Sequence, residues 1–255
     1  MFAADAFADR VVLVSGGSRG IGAQCARELV QLGASVAVSG RDAAQLDLIV
    51  RELQALAGGP DRVIGLSADI GSVAEIRAMV GAAVDYFGWL DVLINSAGTN
   101  IRSAALDVTE DEWNTVMNVN LRGTFFTSQA FAATITAPRR GKIINISSQY
   151  GHIGSADRVV YSASKGGVEL LTKSLAVEWA PRLLVNTVCP TFIETDLTRG
   201  LLNDPAVRSE LLGRIPLGRF GEVADVTGAV LYLVSDLSNM VTGTALMVDG
   251  GWTAA

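Results

Sequence analysis

The chain has 255 residues, a length that fits one large domain or two small ones, and its 26 acidic against 20 basic side chains give a formal charge of −6. That balance works against nonspecific attraction to nucleic acid or to an anionic membrane surface, and no stretch approaches the roughly 18 apolar residues that span a bilayer. A domain this size buries about 70–75% of its unfolded surface without a disulfide or metal staple, and a 49% hydrophobic content suits strands covered on both faces.

The opening MFAADAFADR has no basic region ahead of an apolar core, so no secretory signal is expected. Cys25 and Cys189 lie in apolar segments and read as buried free thiols, which suits a reducing cytoplasm. His152 is the only histidine. Multi-histidine sites are therefore excluded, two cysteines alone cannot build a structural zinc site, and no metal is expected.

The first apolar run, Val11–Ser15, passes straight into Gly16-Gly17-Ser18-Arg19-Gly20-Ile21-Gly22 and a helical stretch at Gly22–Leu32. Glycines let the backbone turn tightly and approach a pyrophosphate, while the helix N-terminus offers free amides and a positive dipole end. The bland reading is a glycine-rich strand-to-helix turn. Gly16-Gly17-Ser18-Arg19-Gly20 also matches the G-x-S-x-G elbow of serine hydrolases, but only about ten residues precede the strand, whereas an elbow follows a mid-sheet strand. Gly22-Ala23-Gln24 fails the G-K-[ST] of a nucleotide-hydrolase loop.

The second run, Ser35–Ser39, ends in Gly40-Arg41-Asp42. An acid at this point would bond the ribose hydroxyls of NAD, whereas an arginine suits a 2′-phosphate. Gly40 stands in the acid's place and Arg41 follows, with Arg19 as a second positive charge. NADP(H) is therefore favoured over NAD(H), unless Arg41 and Asp42 merely pair at a solvated turn.

A helical stretch at Ala43–Leu56, a run at Val63–Ser67 and a helix at Val73–Phe87 follow. The run Val92–Asn95 leads into Ser96-Ala97-Gly98, and the long helical stretch Glu110–Thr136 carries Asn120, a polar residue that costs stability there unless bonded. The run Lys142–Ser147 delivers Ser148 to a strand end, where an open parallel sheet meets its ligand. In the helix Val159–Trp179, Tyr161 and Lys165 share one face, a turn apart. An ammonium about 4 Å from a phenol, at an effective dielectric near 20, favours the phenolate by about 4 kcal/mol, about three pKa units before burial opposes it. The run Leu184–Val188, an irregular stretch 191–218, the helix Val223–Ser235 and the run Ala245–Val248 complete the chain. Apolar runs separated by helices predict one α/β domain over 1–255. It would be a Rossmann-type doubly wound parallel sheet of about seven strands with helices on both faces, and 191–218 would be a substrate flap or a helical insertion.

SGGSRGIG, Asn95-Ser96-Ala97-Gly98, Asn120, Ser148, Tyr161-Ser162-Ala163-Ser164-Lys165, the segment from Pro190 to Thr195 and the closing VDGGW together resemble the short-chain dehydrogenase/reductase family over the full length. The resemblance implies an NAD(P)-dependent oxidoreductase working between an alcohol and a carbonyl. Tyr161 would be the acid or base, Lys165 would lower its pKa and bond the nicotinamide ribose, Ser148 would polarise the carbonyl and Asn120 would hold a relay water. Ser15, Gly16, Ser18, Arg19, Gly20, Ile21, Gly22 and Arg41 would cradle the phosphates. Asp69 and Ile70 would meet the adenine, Asn95, Ala97 and Gly98 would support the cofactor, and Pro190, Ile193 and Thr195 would flank the carboxamide. Three positions depart from the family pattern: Ser15, Ser96 and Thr191.

Asn100, Arg102, Gln149, His152, Arg158 and Phe192 form the expected substrate surroundings, a polar set with two arginines. SQYGHIGSADRVVYSASK and CPTFIETDLT resemble the gluconate 5-dehydrogenase-like branch, so the expected substrate is a small hydroxylated molecule, a sugar acid or polyol, with Arg102 or Arg158 on any carboxylate. A 3-oxoacyl-[acyl-carrier-protein] reductase shares the same motifs, and a catalytically silent nucleotide-binding regulator is the remaining alternative. The resemblance further implies a homotetramer.

Overall fold

Alternation along the strands decides the architecture. In β1 (Val11–Ser15) Val12 and Val14 join one hydrophobic core and Val11 and Leu13 the other. β2 (Ser35–Gly40) repeats the division, Val36 and Val38 against Ala37, as does β4 (Val92–Asn95), Val92 and Ile94 against Leu93. A strand apolar on both faces has to be covered on both.

The computed structural model describes residues 2–194, 198, 200 and 203–254. With β3 (Val63–Ser67), β5 (Gly141–Ile146), β6 (Leu183–Pro190) and β7 (Ala245–Val248), the strands form one seven-stranded sheet in the order β3-β2-β1-β4-β5-β6-β7. Every neighbouring pair is parallel. Helices α1 (Gly20–Gln31), α2 (Ala43–Ala57) and α8 (Val223–Val234) supply the first core through Leu29, Leu53 and Val230. On the opposite face α3 (Val73–Phe87), α5 (Thr124–Thr134) and α6 (Val159–Trp179) contribute Ile76, Phe131 and Leu175. The chain reverses its winding between β1 and β4, so their C-terminal ends open a crevice of the kind in which open α/β sheets bind ligands.

One stretch differs from the sequence expectation, and another takes one of its two expected forms. Glu110–Thr136 is not one helix: α4 (Glu110–Met117) runs into a π-helical turn, Asn118–Gly123, before α5. Ile70 supplies a physical reason, because it presses so closely on Gly123 that a Cβ there would lie 2.3 Å from its Cγ2. The wider turn also seats Asn120 fully in the interior. The irregular stretch contains a short helix, α7 (Pro205–Leu212), which Asp204 caps by accepting from the Ala206 amide at 2.9 Å.

A buried polar chain ties the strand ends together. Ser15 Oγ donates to Asn95 Oδ1 at 3.4 Å, Asn95 Nδ2 to Asn145 Oδ1 at 2.8 Å, and Asn145 Nδ2 to Thr172 Oγ1 at 2.8 Å. At the opposite end of the sheet, buried Asp91 accepts from the Val11 amide at 2.9 Å, from Trp89 Nε1 at 3.0 Å and from Arg139 at 3.2 Å. Replacing Asp91 with alanine leaves the edge amide of β1 and the indole N–H without their acceptor. The expected loss is about 2 kcal/mol of stability, read as a lower urea midpoint with an unchanged slope.

Candidate active site

Helix α6 carries the centre of the site. Tyr161 is half-buried beside Tyr150, Phe192, Ile215 and Trp252, while Lys165 is almost fully enclosed. Lys165 Nζ donates to the Ile146 carbonyl at 2.8 Å and lies 5.7 Å from the centre of the Tyr161 ring. Ser148, at the end of β5, hydrogen-bonds the Tyr161 hydroxyl and accepts from the Tyr150 amide at 3.2 Å. Asn120 joins α6 to the strand-β4 loop. Its Nδ2 donates to the Thr99 carbonyl at 2.9 Å and to Ser164 Oγ at 3.0 Å, and its Oδ1 accepts from the Thr99 amide at 2.8 Å. Gly98 lies against this group, since a Cβ there would sit 3.5 Å from Asn120 Oδ1 and 3.7 Å from Lys165 Nζ. The structure thus brings Asn120, Ser148, Tyr161 and Lys165 to one place.

The electrostatics differ from the simple expectation of a phenol pulled down by Lys165. Burial pushes the Tyr161 hydroxyl up, opposed by the Ser148 hydrogen bond and the charge of Arg158. Lys165 does not supply the lowering charge because its ammonium is turned to the Ile146 carbonyl. Burial brings Lys165 itself down to about 8, against the opposing pull of Cys189 and Glu169.

The glycine loop has the shape a dinucleotide needs. Gly16 (φ 69°) faces the β4 loop so closely that a Cβ would lie 2.5 Å from the Ala97 nitrogen, and Gly22 would place one 2.4 Å from the Gly16 carbonyl. Gly17 and Gly22 are buried in this tight turn, while Arg19 and Gly20 are exposed and Gly16, Ser18 and Ile21 half-buried at the start of α1. Gly40 abuts Ser18, whose Oγ would be 2.8 Å from an added Cβ, so an acidic side chain at position 40 would collide with the loop. Arg19 and Arg41 are exposed and hold no ion pair among the described residues. Asp42 does not pair with Arg41. It caps α2 instead, accepting from the Gln45 amide at 3.1 Å.

Other expected cofactor residues occupy distinct roles. Asn95 gives both amide donors to Ser128 and Asn145, so it braces the strand ends from inside the sheet rather than offering its amide to a ligand. Asp69 accepts from the Gly71 amide at 2.9 Å, and Ile70 packs into the core. Pro190 ends β6, and Ile193 is buried and bridges Gly221. Thr195 lies outside the described residues. Around the crevice, Asn100 Oδ1, both amide atoms of Gln149 and Thr191 Oγ1 are buried without a hydrogen-bond partner among the described residues, as expected where a polar ligand completes the set.

The two candidate arginines separate clearly. Arg102 is half-exposed and pairs with Asp157 at 3.7 Å. Asp157 holds a left-handed backbone (φ 56°) immediately before Arg158, and its carbonyl accepts from the Ser103 amide at 3.1 Å. Arg158 is 7% exposed, lies over the rings of Tyr150 (5.4 Å) and Phe192 (5.9 Å), and has no carboxylate partner among the described residues. Burial lowers its pKa, and the Tyr161 hydroxyl is among the groups that act back on it. His152 faces Glu169 and Cys189 on the far side of Lys165. Glu169 escaped the sequence reading, although it continues the four-residue spacing of Tyr161 and Lys165 on the same helix face.

Comparison with known proteins accords with this geometry. Residues 16–253 match the family profile described as enoyl-(acyl carrier protein) reductase. The 3-oxoacyl-[acyl-carrier-protein] reductase of Staphylococcus aureus is 37% identical over 241 residues, 94% of this chain and 96% of that protein. The 2-dehydro-3-deoxy-D-gluconate 5-dehydrogenase of Escherichia coli K12 is 36% identical over 247 residues, 96% of each. The crystal structure of a gluconate 5-dehydrogenase from Burkholderia cenocepacia in complex with NADP and tartrate superposes with a TM-score of 0.93 at 34% identity, covering 99% of this chain and 98% of that one. The chain belongs to the short-chain dehydrogenase/reductase family, as an NAD(P)-dependent oxidoreductase acting on CH–OH groups.

Proposed function

We propose that this oxidoreductase prefers NADP(H) and interconverts a secondary alcohol and a ketone on a small hydroxylated acid, such as a sugar acid. One observation carries the substrate class: Arg158 is buried beside Tyr161 and, among the described residues, forms no ion pair, with only the neighbouring Asp157 acting on it at longer range. A guanidinium taken out of water without a partner is costly, and a substrate carboxylate would remove that cost through paired, charge-assisted hydrogen bonds.

The nicotinamide cofactor, when bound, supplies or accepts the hydride. The amides of Gly16–Gly22 would receive its pyrophosphate, and Arg19 with Arg41 would receive a 2′-phosphate. Ser148 Oγ and the Tyr161 hydroxyl would both hydrogen-bond the substrate oxygen. In reduction Tyr161 gives that oxygen its proton, and in oxidation it takes the proton back. Arg158 supports the phenolate electrostatically while gripping the carboxylate. Asn120, bonded to Thr99 and Ser164, fixes the loop that faces Lys165, and a relay water beside it would return the proton to solvent. Part of the expected cover, 191–218, lies outside the described residues; for the rest, Phe192 and Ile215 pack with Tyr150 and Trp252 beside Tyr161, which supports a covering role.

The chain would work as a homotetramer. Trp113 on α4 and Leu170 and Val177 on α6 leave large apolar side chains exposed on the single chain, as an assembly face requires. A carrier-protein substrate finds less support, because Arg139, half of the only Arg-Arg pair, already stacks on Trp89 at 4.4 Å and pairs with Asp91.

An absorbance screen over aldonates, polyols and β-keto thioesters tests the substrate. Aldonate turnover should fall about 10- to 100-fold in Arg158→Ala, with polyol turnover, which loses only the support of the phenolate, falling less, and Tyr161→Phe should lose about 10²–10⁴ in rate while still binding cofactor. Faster turnover of β-keto thioesters, or an Arg158→Ala enzyme equally active on aldonates, would abandon the acid substrate.

Arg41→Ala should raise the KM for NADPH about tenfold, equivalent to about 1.4 kcal/mol, and leave NADH nearly unaffected. Equal or tighter binding of NAD by the unmodified enzyme would reverse the assignment.

Lys165 yields a pH test. Its pKa falls from 10.5 in the unfolded chain to about 8 in the fold, so between these values the unfolded chain holds a proton that the folded chain has released. Folding stability relative to Lys165→Met should therefore rise with pH above 8, by at most about 1.4 kcal/mol per unit, in parallel urea titrations from pH 7 to 9.5. A flat difference would mean that the lysine keeps its ordinary pKa.

A further inference from the structure

One turn beyond Lys165 on α6, the buried Glu169 carboxylate meets two groups from other elements. Cys189 Sγ, in β6, donates to Glu169 Oε1 at 3.2 Å and lies 3.7 Å from His152 Nε2, while His152 Nε2 lies 3.6 Å from Glu169 Oε2. Thr187 Oγ1 also donates to Glu169 Oε2, at 2.8 Å. A thiol, an imidazole and a carboxylate thus place one ligand atom each within 4.8 Å of one another. Nothing in the hydride-transfer chemistry uses this group.

We propose that His152, Glu169 and Cys189 bind one divalent cation of the zinc class. Tetrahedral zinc holds sulfur at about 2.3 Å and nitrogen or oxygen at about 2.0–2.1 Å, which separates neighbouring ligand atoms by about 3.3–3.6 Å. His152 Nε2 and Cys189 Sγ are 3.7 Å apart, and they approach different oxygens of Glu169, at 3.6 and 3.2 Å, so a turn of the carboxylate that brings one oxygen to both would meet that geometry from a set already within 4.8 Å. A thiolate with an imidazole selects a borderline or soft metal over magnesium or calcium, which take oxygen ligands. On binding, a metal–sulfur bond replaces the Cys189 S–H bond and the thiol proton passes to solvent. The thiolate and the Glu169 carboxylate together neutralise the two positive charges of the ion. Three protein ligands leave a fourth position for water, and the ion can enter past the His152 side chain, which is 31% exposed. The site escapes sequence motifs because its ligands are 20 and 37 residues from Cys189 along the chain and come from a turn, a helix and a strand. It also revises the expectation that a chain with a single histidine holds no metal.

Titration of the metal-free, full-length protein with cobalt(II) tests the site, with optical absorption as the readout and no dependence on turnover. One equivalent should give a near-ultraviolet thiolate-to-cobalt charge-transfer band and strong visible bands of tetrahedral cobalt, and zinc should displace both. Cys25→Ser should keep the charge-transfer band and Cys189→Ser should lose it. His152→Ala, at a partly exposed position with little bearing on folding, should weaken binding by at least the about tenfold that loss of a mere supporting residue costs. Absence of the band in the unmodified protein, its survival in Cys189→Ser or unchanged affinity in His152→Ala would each overturn the proposal.

Discussion

Burying a positive charge without its counter-charge is the constraint on which this site rests. Among the described residues, Lys165 has the Ile146 carbonyl as its hydrogen-bond acceptor, and burial draws its pKa down to about 8 against the opposing pull of Cys189 and Glu169. Arg158 is enclosed against two aromatic rings and faces no carboxylate among the described residues. Both cations border Tyr161, whose own hydroxyl burial pushes up. A fold that only sought stability would solvate or pair these groups. Holding them short of counter-charge leaves positive charge around the Tyr161 hydroxyl.

The sheet supplies the frame against which α6 and the turn before it hold these groups. Parallel pairing of β1, β4, β5 and β6 brings Gly16, Ala97, Ser148 and Pro190 to one edge of the layer. The buried sequence Ser15, Asn95, Asn145 and Thr172 then fixes the register of three strands against α6. Each amide in that chain has a partner, so slippage of a strand would strand several polar groups at once. The precision of the site therefore originates in the interior of the sheet, one layer beneath the residues that do the chemistry.

This division explains what could be read from the sequence. β1, β3, β4 and β7 begin and end where the apolar runs do; for the central β1 and β4 the reason is that a strand covered on both faces writes its burial directly into composition. Tyr161 and Lys165 were legible for a similar reason, since helical spacing alone puts them on one face. The π-helical turn was not, because its cause is Ile70 pressing on Gly123 from another element. Nor could spacing show that Asn95 turns inward to Asn145, that Arg102 is absorbed by Asp157, or that Lys165 points its ammonium at Ile146. Local periodicity reports which face a residue occupies; the partner it finds there lies on another element, 19 residues away for Lys165 and 50 for Asn95.

The same reasoning bears on why Arg158 and not Arg102 governs the crevice. Asp157 adopts a left-handed backbone, tolerable for an aspartate but rarely adopted without restraint, and Arg102 and the Ser103 amide supply that restraint. The exposed pair of Arg102 with Asp157 contributes little stability by itself. Its consequence is geometric: it holds the turn that enters α6 and so aims the next side chain inward, between Tyr150 and Phe192. Of two arginines that look alike in the sequence, one is used to hold the turn and the other is kept unpaired beside the tyrosine. Of these two arginines, that asymmetry leaves only Arg158 unpaired beside Tyr161 among the described residues, and the planar fork of a guanidinium matches a carboxylate better than a neutral hydroxyl.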